Sequence, residues 1–224
     1  MRFKNLHRWW LGYKEAAALQ RRLSKKVSIV PFRKKPQLVA GLDCAFSKDG
    51  KRIIAAVIVL KLPDFETIEI QNAICKLTFP YIPGLLSFRE APCCLKALKK
   101  LKTKPDVFII DGQGIAHPRR FGIACHLGLF LDKPTIGCAK SRLIGEFRKP
   151  AIQKGAYSFL KDRQETIGAV VRTRANVRPV FVSVGNNCIL NDAMKIILAC
   201  TSQYRIPEPT RLAHQLVSRI RTNM

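Results

Sequence analysis

The apolar residues Ala17, Leu19 and Leu23 recur at helical spacing among basic neighbours between residues 14 and 26, which predicts a surface helix. The run PFRKKPQ ends it. Two β-rich apolar runs follow, Gln37 to Phe46 and Arg52 to Leu62, separated by the turn residues Lys48, Asp49 and Gly50. Thr67 to Leu77 predicts a third strand, and three strands joined by short turns predict an antiparallel meander. The pattern then changes. Pro80 to Glu90 reads as a loop bearing Pro and Gly, Pro92 to Lys102 as a helix, and Asp106 to Asp111 as a short apolar strand buried on both faces. A helix over Phe121 to Leu131 and a buried strand over Thr135 to Ala139 continue the alternation expected of parallel crossovers. A strand pair near Ala169 and Phe181 and helices over Asp192 to Thr201 and Glu208 to Arg219 complete the chain.

Composition narrows what such a chain binds. Hydrophobic residues make up 47% and charged residues 25%, which is ordinary for a globular protein with a sizeable core. With 224 residues, the expectation is an N-terminal helical segment over 1–36 packed on a single catalytic domain over 37–224. The charge is not ordinary: 40 Lys and Arg against 15 Asp and Glu leave +25, spread along the whole chain. That balance points to a polyanion, above all nucleic acid, whose phosphates release counterions when neutralised. No stretch reaches the ~18 apolar residues of a membrane helix, and no lipidation signal is present, so no membrane partner is expected. The eight cysteines sit in apolar runs or side by side, as Cys93 and Cys94 do, and none has zinc-ligand spacing. They read as reduced core cysteines; with no secretory signal pattern, a cytoplasmic monomer is the expectation.

Chemistry enters with the carboxylates. Asp43 stands inside the strand pattern VAGLDCAF, where a charge is costly unless it is paired or holds a metal. Asp111 ends the strand VFIID and is followed by Gly112 and Gly114, the carboxyl-end position where open α/β sheets place ligands. Two such aspartates on neighbouring strands would suit Mg²⁺ and a phosphate substrate, and without a P-loop that phosphate is a nucleic-acid backbone rather than a nucleotide. Each aspartate alone also reads as a loop cap. Glu90 reads either as a third acid or as a helix N-terminal charge, and Lys140, ending TIGCAK, as a surface charge or a catalytic cation. Among the histidines, His117 lies in GIAHPRR with Arg119 and Arg120, and these three read as phosphate contacts. His7 reads as an idle tail residue, His126 as a core histidine, and His214, by spacing, as surface.

Three antiparallel strands followed by α/β crossovers is the element order of ribonuclease H-like folds. The segments VAGLDCAF, PYIPGLLSFRE, KPDVFIIDGQGIAHPRRFGIACHLG, PTIGCAKSRLIG and YRIPEPTRLAH resemble the endonuclease V family, in the family's order, from Val39 to His214. The resemblance implies a ribonuclease H-like α/β fold with a central mixed sheet flanked by helices, and Mg²⁺, or Mn²⁺ in its place, as cofactor. It also implies a hydrolase of deaminated DNA, cutting the second phosphodiester 3′ to inosine in DNA repair and leaving 3′-hydroxyl and 5′-phosphate ends. On this resemblance Asp43 and Asp111 hold the metal, Glu90 is the third acid, Lys140 the catalytic lysine and His214 the histidine at the rim. Pro80, Tyr81, Ile82 and Pro83 match the wedge that enters the duplex, and Gly84, Leu86, Gly112, Ile123, Ala139 and Leu143 match the lesion pocket. Gln113 stands where the family often has His or Asn, and Phe46 where tyrosine is common. A ribonuclease acting on inosine-containing RNA, a non-catalytic nucleic-acid-binding module and a base glycosylase are the competing readings.

Overall fold

The computed structural model describes every residue except Arg2. Its centre is one eight-stranded sheet in the order β3-β2-β1-β4-β5-β8-β7-β6. The strands are β1 (Leu38–Phe46), β2 (Arg52–Lys61), β3 (Glu66–Lys76), β4 (Val107–Ile110), β5 (Thr135–Ala139), β6 (Tyr157–Asp162), β7 (Glu165–Val171) and β8 (Val180–Asn186). β1 to β3 form the expected antiparallel meander, and β4 and β5 add to β1 in parallel. β4 and β5 are fully buried, which is why they read as continuous apolar runs. Beyond β5 the sheet closes with a second antiparallel meander, β8, β7 and β6. The sequence pattern predicts only two of those strands. β6 escapes because it is an edge strand of mixed burial, with Tyr157 and Phe159 exposed and only Leu160 buried.

Helices cover both faces. α1 (Tyr13–Ser24) leads the chain, α2 (Leu86–Lys99) packs on β2 and β3, and α3 (Ile123–Leu131) on β5 and β8. α4 (Leu190–Ala199) packs on β7 and β8, and α5 (Glu208–Thr222) lies across β1 and β2. The expectation that α2 begins at Pro92 is corrected: it begins six residues earlier, and Pro92 lies inside it. A proline in a helix interior costs a hydrogen bond, yet here Phe88, Ala91, Cys94 and Leu98 are buried, each large apolar side chain stabilising by roughly 1.5–3 kcal/mol. Packing overrides the local breaker.

The N-terminal segment joins the core. Ala16, Leu19 and Leu23 of α1 cluster with Phe79, Leu85, Phe88, Phe121 and Cys125. His7 is not the idle tail residue its sequence context predicts: its Nε2 lies 2.7 Å from His126 Nε2, inside a ring of Trp9, Phe88 and Phe130. All eight cysteines are free. No helix among the described residues is long and apolar enough to cross a membrane.

Candidate active site

Register brings the two aspartates together. Leu42 of β1 pairs with Ile110 of β4 in parallel, so the next residues lie side by side, Asp43 inside β1 and Asp111 just past the carboxyl end of β4. The Asp111 amide donates to Leu42 O at 3.0 Å, which extends the ladder by one step. α5 then lays His214 over this pair. Its first turn presses against Gly41, where an added Cβ would fall 2.0 Å from the Pro209 carbonyl carbon, so only glycine lets the helix approach. His214 Nδ1 hydrogen-bonds Asp43 Oδ2 at 2.6 Å. From the end of β5, Lys140 Nζ donates to Asp111 Oδ2 at 2.5 Å. Ligand atoms of Asp43, Asp111 and His214 all lie within 4.8 Å of one another.

The electrostatics are those of crowded acids. Burial, followed by the Asp111 carboxylate, pushes Asp43 up to about 6, although the His214 bond and Lys140 oppose it. Burial, with the charges of Asp43 and Asp111, pushes Glu90 on α2 up to about 8. Burial works against the charged form of Lys140, but attraction to Asp111 outweighs it and raises the amine. Such a cluster lacks positive charge, and a divalent cation between the carboxylates would supply it. The donor set fits one: carboxylate oxygens suit Mg²⁺, and the imidazole is also compatible with Mn²⁺. Glu90 is 9% exposed and makes no side-chain hydrogen bond among the described residues, so a charged Glu90 would depend on that same cation.

The loop before α2 carries Pro80, Tyr81, Ile82 and Pro83, the segment expected to act as a wedge. Tyr81 is 72% exposed between Pro80 and Pro83, so its ring projects from the surface. The loop's root is fixed at Gly84, whose carbonyl accepts from Gln20 Nε2 at 3.0 Å, His117 Nε2 at 3.0 Å and Arg119 Nη2 at 2.6 Å. Gly84 takes a φ of +77°, and an added Cβ would stand 2.6 Å from Arg119 Nη2. Gln20, 1% exposed on α1, also donates to Phe121 O and accepts from Arg119 Nε at 2.5 Å. Its signal in the sequence is its place on the apolar stripe of α1, beside Ala16, Ala17 and Leu23.

The three residues expected to touch phosphate are occupied inside the protein. His117 is 4% exposed; burial, with Arg119 beside it, pushes its imidazole down to about 4. Its Nδ1 accepts from the Arg119 amide at 3.1 Å while Nε2 faces Gly84 O, the pattern of a neutral ring. Arg119 is held by Gln20 and Gly84, and Arg120 pairs with Asp162 at 2.8 Å and Glu165 at 2.7 Å. A phosphate contact by any of them requires exchange of these bonds. Of the expected lesion pocket, Gly112 and Ile123 are adjacent, since a Cβ on Gly112 would lie 2.6 Å from Ile123 Cγ2. Ala139 is buried with Ala116 and Phe181, while Leu86 and Leu143 are partly exposed. Gln113 donates to Ser141 O at 3.1 Å and leaves its buried Oε1 without a protein partner. Arg205 carries no distinguishing signal in the sequence; its Nη2 donates to Lys140 O at 2.6 Å and Pro179 O at 2.8 Å, tying the loop ahead of α5 to the residues that follow β5 and precede β8.

Known proteins resemble this chain over nearly its whole length. Residues 21–215 match the family model described as endonuclease V. An endonuclease V of Methanothrix thermoacetophila is 50% identical over 216 residues, covering 96% of this chain and 95% of that protein. The crystal structure of the Bacillus subtilis endonuclease V superposes with a TM-score of 0.95 at 34% identity, covering 100% of this chain and 98% of that one. A Ciona intestinalis endonuclease V, crystallised with a 24-mer DNA containing an inosine followed by a ribo-adenosine, is 28% identical with a TM-score of 0.82, covering 94% and 98% of the two chains.

Proposed function

The chain belongs to the endonuclease V family, and on that premise we propose that it is a divalent-metal-dependent endonuclease that recognises inosine in DNA and hydrolyses the second phosphodiester on its 3′ side. The products are a 3′-hydroxyl and a 5′-phosphate. The observation that carries the reading is the meeting of Asp43, Asp111 and His214 within 4.8 Å, where the carboxyl end of β4 lies beside β1. Asp43 and Asp111 would hold Mg²⁺, with His214 at the rim. When bound, the ion supplies neutralisation of phosphate charge and acidification of water.

The chain's own groups divide the remaining work. Lys140, held by Asp111, presents an ammonium beside the carboxylates, where it stabilises negative charge developing on the phosphate and the departing oxygen. His214 orients the Asp43 carboxylate through Nδ1. Tyr81, stiffened by its flanking prolines, fills the gap that an extruded base leaves in the stack. Gly112 lets the backbone come close to the extruded base, which is then read by its edge. The anchored Gly84 holds the wedge and this pocket in register.

The ribo-adenosine beside inosine in the Ciona complex supports inosine in RNA as a second substrate. The test is end-group mapping on a duplex carrying one deoxyinosine, run beside an inosine RNA, with Mg²⁺ and with EDTA. A nick at the second 3′ phosphodiester, present with Mg²⁺ and absent with EDTA, is expected. An abasic product, or cutting that persists in EDTA, overturns the reading.

A further inference from the structure

A cleft of about 510 Å³ opens beside Lys140, and none of Asp43, Glu90 and Asp111 lines it. Five of its nine lining residues are cationic, Lys140, Arg142, Lys149, Arg178 and Arg205, and none is acidic. Phe147 and Phe181 form its apolar floor, edge to face at 5.4 Å. These cations come from three separate stretches of chain: the segment from the end of β5 to residue 149, the turn into β8, and the loop ahead of α5. Only tertiary structure gathers them. Arg142, Lys149 and Arg178 are exposed and form no ion pair among the described residues.

Gathering like charges without counter-ions costs stability unless an anion enters to offset them. Neighbouring clefts differ. The larger one sharing Arg142 and Phe147 mixes Arg148, Lys161 and Arg163 with Glu146 and Asp162. At the opposite end of the sheet, Arg33, Lys34 and Lys133 share a cleft with Asp106 and Asp132. Of these three clefts, the acid-free one adjoins the candidate catalytic lysine.

We propose that this cleft is a backbone-phosphate subsite for the nucleic-acid strand flanking the bond to be cut, with Lys149 and Arg178 each binding a phosphate independently. The identity of the anion rests on the endonuclease reading. Arg205 positions the subsite: its two backbone bonds lock the rim of the cleft to the carbonyl of Lys140, so a strand held there lies in register with the ammonium.

The test is fluorescence anisotropy in EDTA, where no cleavage is read, with the full chain and a labelled deoxyinosine duplex. Three duplexes are compared, one with both flanks and one shortened on each side. The Lys149→Ala/Arg178→Ala protein is set against wild type and an Arg33→Ala/Lys133→Ala control at the far end of the sheet. One of the two truncations is expected to weaken wild type and control while leaving the cleft variant unchanged. The dependence of log affinity on log salt flattens by about 0.9 for each duplex phosphate that is no longer neutralised. For two such phosphates the wild-type advantage therefore shrinks about tenfold between 50 and 200 mM salt. Lys149→Gln and Arg178→Gln repeat the readout with the side-chain stems kept. The proposal is overturned if truncation costs the cleft variant as much as wild type, or if the control loses as much as the cleft variant. Truncation coupling without cleavage on Mg²⁺ addition would keep the subsite and remove the nuclease; cleavage without coupling would do the reverse.

Discussion

Asp106 and Asp111 flank the same four-residue strand, β4, and have opposite fates. Asp106, at its amino end, accepts from the amides of Gln37 and Leu38 at 3.0 Å each and pairs with Lys34 at 3.0 Å. Burial acts to raise its pKa, but those bonds outweigh it and hold the carboxyl below its ordinary value. Asp111, at the carboxyl end, faces a second carboxylate and a buried Glu90, with Lys140 as its ion-pair partner. One end of the strand is a satisfied joint and the other is an acid cluster short of positive charge. A strand-end aspartate is therefore structural or chemical according to what its neighbours leave unbalanced.

Substitution at each end should separate these roles. Asp111→Asn is expected to lower single-turnover cleavage of an inosine strand by about 10³-fold or more, with the unfolding midpoint unchanged or raised, because a like charge is removed. Asp106→Ala should do the opposite, costing about 1–3 kcal/mol in denaturant unfolding through its orphaned amides while the cleavage rate holds. If Asp106→Ala abolishes cleavage in a folded protein, the division between the two ends fails.

A smaller effect sharpens the same contrast through pH. Glu90 is raised in the folded state to about 8, so the folded chain binds more protons than the unfolded one between its ordinary carboxylate value and 8. Stability from this group is full at low pH and is lost as pH climbs through 8. His117 acts in the other direction, being pushed down to about 4, but above pH ~6.5 it is neutral in both states and drops out. In EDTA the unfolding midpoint is therefore expected to fall between pH 6.5 and 8. Mg²⁺ should raise it more at pH 8 than at 6.5, since the cation replaces the lost protons. A midpoint that is flat in EDTA, or a Mg²⁺ effect larger at pH 6.5, would contradict the acid cluster.

Legibility in the sequence follows the range of the forces involved. The first meander, β4 and β5 are readable because strand period and continuous burial are written in adjacent residues. The start of α2 is not: Pro92 and the PYIPG loop signal a break, and only burial of Phe88 and its neighbours keeps the helix intact. Asp43 and Asp111 can be picked as strand carboxylates, but their side-by-side placement depends on a parallel register between residues 68 positions apart. His214 looks like a surface residue on α5 until Gly41 admits that helix onto β1. The basic run around His117 suggests phosphate from charge alone, whereas Gly84, Gln20 and two distant acids occupy its side chains.

By itself the sequence determined a basic α/β chain, two strand-borne aspartates and a stiff tyrosine loop, because period, charge and proline act within a few residues. Tertiary structure alone decided which charges are cancelled: it sealed Asp106 with amides, left Asp43, Asp111 and Glu90 repelling one another, and collected unpaired cations beside Lys140. The reason is physical, since a charge's energy depends on its distance to other charges and to water, and folding sets both.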